Sequence, residues 1–343
     1  MLIHRNQFFL ILTIILWISC DNVERKIEPS FYYWKQSFFL TKTEQTYLKE
    51  LKVKRTYIKF FDIKWSKVTN TPYIVAPISF KSSIPSFLDI IPTIYITNNT
   101  LSSCSEENIK NLADLIIKNI KEAALSQDIS IKGIQIDCDW SLSTKDKYFH
   151  LLQLVRNSMP KGELSATIRL HQVKFYKKTG IPPVDRGTLM FYNMDAVTDN
   201  ATNNSILDLE VAQQYFYNFD EYKIPLDIAL PLFKWGVVQR RGRVVQLINH
   251  LNNKQLSNSQ RFQKTKNNHY RVLESHYLNG FYIYKNDQIR LESVSKETLK
   301  RSAQLLNQQI QKDTLLNLTY YHLDSTILEE FSIQDIQTIN NQF

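Results

Sequence analysis

Two aspartates in a short apolar run have the type and spacing that acid–base chemistry requires. Residues 133–140 read GIQIDCDW, so Asp137 and Asp139 alternate with apolar residues. In an extended strand their Cα atoms would be ~6.6 Å apart, and both side chains would share one face with Gln135. At that separation one carboxylate can raise the pKa of the other and keep it protonated, as a general acid must be. The alternatives are an ion pair with Arg169 or a solvated loop end.

A second polar run, LSATIRLH, follows in residues 164–171, and its alternation brings Arg169 and His171 onto one face. A strand that helices cover should be nearly apolar, so two neighbouring strands with four ionisable groups on one face favour a functional site. Arg169 and His171 could bind a ligand, or they could simply hold the carboxylates. Cys138 falls on the apolar face and is predicted to pack there.

We expect neither a metal nor a cofactor. A metal site from Asp137, Asp139 and His171 is conceivable, but the other histidines are dispersed and add no ligand spacing. The chain has only 7 glycines and contains neither a GxGxxG nor a Walker motif.

The elements that would position these residues alternate between strand and helix. Apolar periodicity predicts helices at 106–125 from Ser105, at 144–158 from a capping box between Ser143 and Asp146, and at 295–311 from Ser295. Further strands at about 73–80 and 316–322 would lie outside the main set. β-Branched and aromatic runs predict eight main strands, at 31–34, 56–62, 92–97, 133–139, 164–171, 188–193, 226–232 and 280–284.

Eight such repeats without a linker predict one α/β domain over residues 31–343, a (β/α)8 TIM barrel with extra strands outside it. The alternative is an open doubly wound sheet. In a barrel, catalytic groups collect where the strands end. Large aromatic residues lie at the same ends and would line a ligand cleft on which sugar rings stack, unless they only fill the barrel top. The tryptophans of this set are Trp34, Trp65, Trp140 and Trp235.

Two of the predicted strands resemble motifs of family-18 chitinase-like glycoside hydrolases. Residues 133–139 are similar to the fourth-strand DGxDxDxE signature, and residues 190–193, MFYN, are similar to the sixth-strand MxYD. The resemblance puts Asp139 at the position of the family's acidic glutamate. It puts Asp137 where an aspartate orients the substrate acetamido group, and Tyr192 where a tyrosine supports that group.

The chain departs from these motifs at several positions. Lys132 and Gln135 stand where the signature is acidic, Asn193 replaces an aspartate, and Asp139 is one methylene shorter than glutamate. Over its whole length the chain is similar to a family of bacterial barrel lipoproteins that share the segments IQIDCDWS, LSATIRLHQ and PPVDRGTLMFYNM.

The resemblance implies a glycan-active enzyme of the glycoside hydrolase type, in which Asp139 is the general acid and Asp137 and Tyr192 position the substrate. If no acetamido group serves as nucleophile, Asp62 or Asp195 could supply the second carboxylate. The alternative is a catalytically silent glycan-binding barrel. The expected substrate-binding residues are Gln135, Arg169, His171, Asn193, Trp34, Trp65, Trp140 and Trp235.

The N-terminus is typical of an export signal. Arg5 precedes an apolar run of ~11 residues, which is too short to span a bilayer. Cys20 after a small residue resembles a lipobox, although Trp17 stands where leucine is preferred; an ordinary signal peptide or N-terminal anchor is the alternative. We expect residues 1–19 to be cleaved and residues 20–30 to be a lipidated cysteine and tether. The protein would then be anchored in the cell envelope, on the periplasmic or surface side of a bacterial membrane.

The formal charge of the 343-residue chain is +9, and this charge is concentrated in one segment. Cleavage after residue 19 would remove Arg5 and leave +8, whereas residues 234–271 alone contain nine Lys and Arg and no acidic residue. Export and the lack of a recognition motif argue against a nucleic-acid partner. The basic segment, between the seventh and eighth strands, is either a solvated helix and loop or a contact for an anionic glycan or phosphate-bearing lipid headgroups.

Overall fold

The computed structural model describes residues 25–199, 201–311 and 315–343. The predicted signal peptide, residues 1–19, and the predicted lipid site at Cys20 lie outside the described residues. The strands of the described ranges are β1 (Lys26–Tyr33), β2 (Ser37–Phe38), β3 (Arg55–Ser66), β4 (Thr71–Val75), β5 (Ser79–Phe80), β6 (Asp89–Ile96), β7 (Gly133–Asp137), β8 (Glu163–Arg169), β9 (Arg186–Met190), β10 (Leu226–Pro231), β11 (Trp235–Arg240), β12 (Arg243–Asn249), β13 (Phe262–Lys266), β14 (His269–Val272), β15 (His276–Leu278), β16 (Phe281–Ile283), β17 (Gln288–Glu292) and β18 (Leu315–Tyr321).

Eight parallel strands close into a barrel. Around the ring they are β1, β3, β6, β7, β8, β9, β10 and β18, and β18 pairs with β1 to complete the circle. Strand β4 pairs antiparallel with β3 outside the ring, close to the extra strand predicted at 73–80. The prediction of a (β/α)8 TIM barrel with extra strands outside is therefore confirmed.

Helices cover the outer face of the barrel, and two of the three predicted N-caps are confirmed. The hydroxyl of Ser105 accepts from the third backbone N–H of its helix, and Ser295 does the same. The predicted capping box from Ser143 to Asp146 does not form, since that helix begins after Thr144, whose hydroxyl donates to Asn98 instead. The helices of the described ranges are α1 (Lys42–Glu50), α2 (Asn98–Ser103), α3 (Glu106–Ser126), α4 (Lys145–Ser158), α5 (Leu170–Lys174), α6 (Tyr176–Thr179), α7 (Leu209–Gln213), α8 (Asn253–Leu256), α9 (Lys296–Asn307), α10 (Ser325–Leu328) and α11 (Ile333–Asn340).

The eighth barrel strand is β18 rather than residues 280–284, so this part of the prediction was wrong. Residues 281–283 form β16, which pairs only with β15 in a small hairpin among the described residues. In β18, Asn317 and Thr319 are buried alternately with apolar residues, and the Thr319 hydroxyl lies 2.6 Å from that of Ser30 on β1. Residues 280–284 and β18 both contain aromatic and β-branched residues. Only long-range strand pairing shows which of the two runs belongs to the barrel.

An insertion, residues 235–292, separates the seventh and eighth barrel strands. Its five-stranded antiparallel sheet has the order β12-β11-β17-β14-β13, and one face of that sheet has its own apolar cluster around Val238, Ile248 and Ile289. The basic segment of the sequence is thus largely β-sheet, and the expected solvated helix and loop was wrong. Strand formation is favoured by the β-branched residues of β11 and β12, which read WGVVQR and RVVQLIN.

The first barrel strand begins at Lys26, inside the segment 20–30 that was expected to be a tether. Pairing of residues 26–31 with β18 in parallel register explains the earlier start. At this N-terminal end of the barrel Asp227 is fully buried, with Arg186 donating to both of its oxygens. Among the described helices, none is long and apolar enough to cross a membrane.

Candidate active site

The pore face of the fourth barrel strand, β7, carries the polar residues that the sequence indicated, but they lie at different depths. Gln135 is completely buried inside the barrel. It accepts a hydrogen bond from the Tyr32 hydroxyl at 2.7 Å and donates to Thr188 at 3.0 Å. These bonds make Gln135 a link between barrel strands, below the cleft in which it was expected to bind substrate.

Asp137 lies at the end of β7, on the floor of a cleft. Its side chain is only 6% exposed and accepts a hydrogen bond from the Thr167 hydroxyl at 2.7 Å. Burial raises the pKa of Asp137 to about 6, because an ionised carboxylate is poorly solvated there, and the nearby Arg169 guanidinium only partly offsets this. Asp137 is therefore a carboxyl group that exchanges its proton close to neutral pH.

Asp139 lies beyond the end of the strand and has a different environment. Its side chain is half-exposed, and Arg169 donates to both of its oxygens, with Nε at 2.5 Å from Oδ1 and Nη2 at 3.1 Å from Oδ2. A bidentate arginine stabilises the ionised form of a carboxylate. Asp139 therefore forms the ion pair with Arg169 that was one of the alternatives for these aspartates. The aspartate with the raised pKa is Asp137.

The cleft has two lobes that share Arg169, Met190, Tyr192 and Asn193. The inner lobe, of about 460 Å³, contains Asp137, and the outer lobe, of about 360 Å³, contains Asp139. Arg169 lies between the two aspartates, and its Nη1 is buried without a hydrogen-bond partner among the described residues. That nitrogen is a donor that a ligand could satisfy.

Aromatic rings form a continuous wall of the inner lobe. Neighbouring ring centres are 5.6 Å apart for Trp34 and Tyr321, 5.3 Å for Tyr321 and Tyr192, 5.9 Å for Tyr192 and Phe233, and 5.1 Å for Phe233 and Trp235. The structure thus brings Trp34, Trp235 and Tyr192 to the cleft, as expected. An aromatic wall facing a few polar groups is typical of a ligand-binding cleft.

Two of the four predicted tryptophans lie elsewhere. Trp140 is buried, stacks on Tyr148 at 5.0 Å and donates to the carbonyl of Thr179. Trp65 packs against the main apolar core at a position of β3 that pairs with Pro72 of β4. Both follow or end strands, but their side chains point away from the pore face.

The remaining predicted residues lie in or beside the outer lobe. His171 belongs to the short helix α5 rather than to the strand and lines the outer lobe, where burial lowers its pKa. Asn193 lines both lobes with a φ of 54°. Asp195 lies outside both lobes and accepts from Thr202, whereas Asp62 is paired with Lys59 at 3.1 Å.

Sequence reasoning missed several cleft residues. Tyr321 ends the eighth strand, which was assigned elsewhere, and His322 follows it, while Lys234 and His250 lie at the insertion. His322 is half-buried, its buried Nδ1 has no hydrogen-bond partner among the described residues, and desolvation lowers its pKa to about 4. It is neutral near pH 7 and presents a hydrogen-bonding group to the inner lobe. The signal that could have found these residues is the run YYH at the end of an alternating strand.

Within the described ranges, no group of three or more His, Cys, Asp or Glu side chains could hold a metal ion. Cys104 and Cys138 are both buried and unpaired.

Solved structures with the same barrel are chitinase-like proteins. A chitinase from Chromobacterium violaceum matches with a TM-score of 0.54 and 11% identity, over 91% of this chain and 98% of that one. A spore cortex-lytic enzyme from Bacillus megaterium matches with a TM-score of 0.55 and 13% identity, over 91% and 74%. A chitinase-like agglutinin from Robinia pseudoacacia matches with a TM-score of 0.52 and 11% identity, over 91% and 98%.

At these identities the likeness shows the fold alone. No protein-family model matches the sequence, and no curated protein sequence matches it.

Proposed function

We propose that the protein binds a glycan in the two-lobed cleft and cleaves it with Asp137 as the general acid. The observation that carries this proposal is a buried carboxyl group with a pKa of about 6 on the floor of an aromatic-walled cleft. A general acid must be protonated when substrate binds, and burial supplies that state near neutral pH. Support for a sugar ligand comes from the shared barrel of chitinase-like proteins and from the aromatic wall.

In the proposed reaction the Asp137 carboxyl group gives its proton to the glycosidic oxygen as the bond to the anomeric carbon breaks. The resemblance of β7 and β9 to the family-18 motifs implies that an acetamido oxygen of the substrate captures the anomeric carbon. Tyr192 lines both lobes and would contact that group. Asp139 was the acid expected from the sequence; its ion pair with Arg169 suits it better to orienting Arg169 and binding substrate hydroxyls.

We further propose that Cys20 is lipidated, so that the barrel acts in the cell envelope on the outer side of a bacterial membrane. Support comes from the residues of the predicted export signal alone. Mass spectrometry of the protein purified from membranes tests this step, and a Cys20→Ala variant should be released from them.

The experiment that tests the function measures cleavage and binding on the same oligosaccharides. Purified wild-type protein should release reducing ends from at least one member of a panel of N-acetylated glycans. Asp137→Asn should abolish release but retain binding, because the amide keeps the Thr167 hydrogen bond and loses the proton. Release by Asp137→Asn at the wild-type rate would contradict the assignment of the acid.

A second candidate is a glycan-binding barrel without catalysis. The observation that favours it is the complete engagement of Asp139 by Arg169 at the position of the family's acidic glutamate. One structure with the same barrel is itself an agglutinin. Binding by the wild type without cleavage of any glycan in the panel would favour this candidate over the enzyme.

A further inference from the structure

The insertion carries a rigid hairpin that lies outside the cleft. Strands β15 and β16 pair in antiparallel register and are joined by Asn279 and Gly280, with φ values of 47° and 84°. Two positive φ values at the centre of a two-residue loop are typical of a type I′ turn, which matches the twist of the strands it joins. This pairing sets Tyr277 directly opposite Tyr282 on the hairpin.

Three tyrosines form an exposed cluster on this hairpin, here called the tyrosine ledge: Tyr277, Tyr282 and Tyr284. Their rings are 71%, 45% and 48% exposed. The centres of Tyr277 and Tyr282 are 5.0 Å apart, and those of Tyr282 and Tyr284 are 4.9 Å apart. Singly exposed apolar residues are common on proteins, whereas a contiguous exposed cluster marks a binding surface.

A cavity of about 280 Å³ joins the ledge to Arg240 and Gln246 of the neighbouring strands. The Arg240 guanidinium lies 4.1 Å from the ring centre of Tyr284. Buried Asp287 accepts from Arg240 at 2.8 and 2.9 Å and from the backbone N–H of Tyr284 at 2.8 Å. The Asp287 carboxylate thus holds both the Arg240 guanidinium and the backbone of Tyr284. The site is therefore ordered before any ligand binds.

Positive charge surrounds this cavity. Arg241 and Arg243 lie in the turn between the cavity-lining residues Arg240 and Val245, and both are exposed. Of the nine basic residues in 234–271, two have ion-pair partners in the described structure, Lys234 with Glu330 and Arg240 with Asp287. The other seven are exposed on the insertion, and no ion pair is described for them.

We propose that the tyrosine ledge and Arg240–Arg243 form a second binding site, for a chain of an anionic polysaccharide. The tyrosine rings stack on the CH faces of sugar rings, and the exposed guanidinium groups of Arg241 and Arg243 bind carboxylates through paired hydrogen bonds. Arg240 donates to Asp287 and orders the cavity. The site lies outside the cleft and goes beyond the proposed function. It would hold a polymer beside the barrel whether or not the cleft is catalytic.

The test is affinity electrophoresis through gels that contain polygalacturonate, alginate or neutral hydroxyethyl cellulose, none of which carries the N-acetyl groups expected of a cleft ligand. At least one acidic polymer should retard the wild type, and the neutral polymer should not. Tyr277→Ala/Tyr282→Ala and Arg241→Gln/Arg243→Gln should each weaken the affinity at least tenfold. The arginine variant should also lose most of the salt dependence.

Matched controls separate this site from general charge, general aromatic exposure and the cleft. Tyr73→Ala/Tyr217→Ala removes exposed rings elsewhere, and Lys110→Gln/Lys121→Gln removes exposed charges of α3. Trp34→Ala removes a ring of the cleft. All three control variants should migrate like the wild type. No retardation by any acidic polymer, or equal loss in these controls, would overturn the proposal. Tyrosine-dependent binding to vesicles of equal phosphatidylcholine and phosphatidylglycerol, without polymer binding, would overturn it in favour of a lipid surface.

Discussion

Asp137 lies where a carboxyl group is costly to ionise, and its two partners determine how costly. The Thr167 hydroxyl and the Arg169 guanidinium both favour the charged form, but removal from water outweighs them and raises the pKa to about 6. Of the two, Arg169 lowers the pKa of Asp137 more, although it also donates to both oxygens of Asp139. The two aspartates thus have different environments: Asp139 forms an ion pair with Arg169, and burial raises the pKa of Asp137.

Because burial raises the pKa of Asp137, Asp137→Asn should stabilise the protein at alkaline pH. A pKa of about 6 in the folded protein against about 4 in the unfolded chain corresponds to about 3 kcal/mol. Because the folded pKa is the higher one, this contribution to stability is complete below about pH 4 and is lost as the pH rises through 6. Urea unfolding near pH 8 should therefore show the variant more stable by up to about 3 kcal/mol, with no difference near pH 4.

Asp139→Asn is the matched control for that measurement. It removes the negative charge that is paired with the largely buried Arg169 guanidinium, so it should lower the free energy of unfolding near pH 8. Equal effects of the two substitutions would show that the aspartates do not have different environments.

At the scale of elements, the insertion completes one side of the cleft. Trp235 opens β11, lines the inner lobe and donates to Glu292 of β17 at 2.8 Å. Trp235→Ala should weaken glycan binding by about tenfold. Stacking of a sugar ring on the indole ring contributes about 1–2 kcal/mol to binding. The measurement is isothermal titration with the best oligosaccharide of the panel. Trp65→Ala, which removes a ring outside the cleft, should lower the melting temperature and leave the Kd unchanged.

A buried ion pair fastens the insertion to a barrel loop. Arg290 donates to Glu292 at 2.6 Å and to the carbonyls of Val197 and Asp199, while Glu292 also accepts from Ser205. Replacing one partner leaves an uncompensated buried charge, so Arg290→Met should cost about 3–5 kcal/mol. Arg290→Met/Glu292→Gln should cost less than the single change in the same chemical unfolding experiment. If the double variant lost as much stability as Arg290→Met and Glu292→Gln lose together as single variants, the two residues would not be energetically coupled.

The elements also explain how far the sequence could predict the site. Alternation in residues 133–139 and 164–169 placed Asp137 and Arg169 correctly, because a strand period of two fixes which face a side chain takes. Trp140 was misplaced because it was assigned to the cleft from its position after the strand; the period of two would instead put it on the apolar face, where it stacks on Tyr148. Tyr321 and His322 were missed because the insertion separates β10 from β18. The sequence around β18 does not show that these two distant strands pair.

At the scale of the whole molecule, the described chain begins at the end of the barrel opposite the cleft. Arg25, which precedes β1, is held by Asn307 and Gln311 before the start of β18. Cys20 is five residues away, so it reaches at most about 18 Å from there. The cleft and the basic insertion lie at the other end, where the parallel strands finish. The insertion would thus face away from the membrane, which argues against headgroups of that membrane as its partner.

This orientation can be measured on vesicles carrying the lipidated protein. A fluorophore on Lys54→Cys, at the start of β3, should be quenched strongly by headgroup-labelled lipids, and one on Lys285→Cys in the insertion should be quenched weakly. Cys104 and Cys138 are buried and should not react with the label. Stronger quenching at position 285 would reverse the proposed orientation.

The central proposal is that Asp137 supplies the proton for glycan cleavage, and the pH dependence of kcat/KM tests it most directly. With the best substrate of the panel, kcat/KM should fall as the pH rises through about 6, because the protonated acid is lost. Asp137→Asn should have no measurable kcat/KM at any pH, while its Kd for the same glycan stays within a few-fold of the wild type. Activity that rises with pH through this range, or that persists in Asp137→Asn, would contradict the proposal.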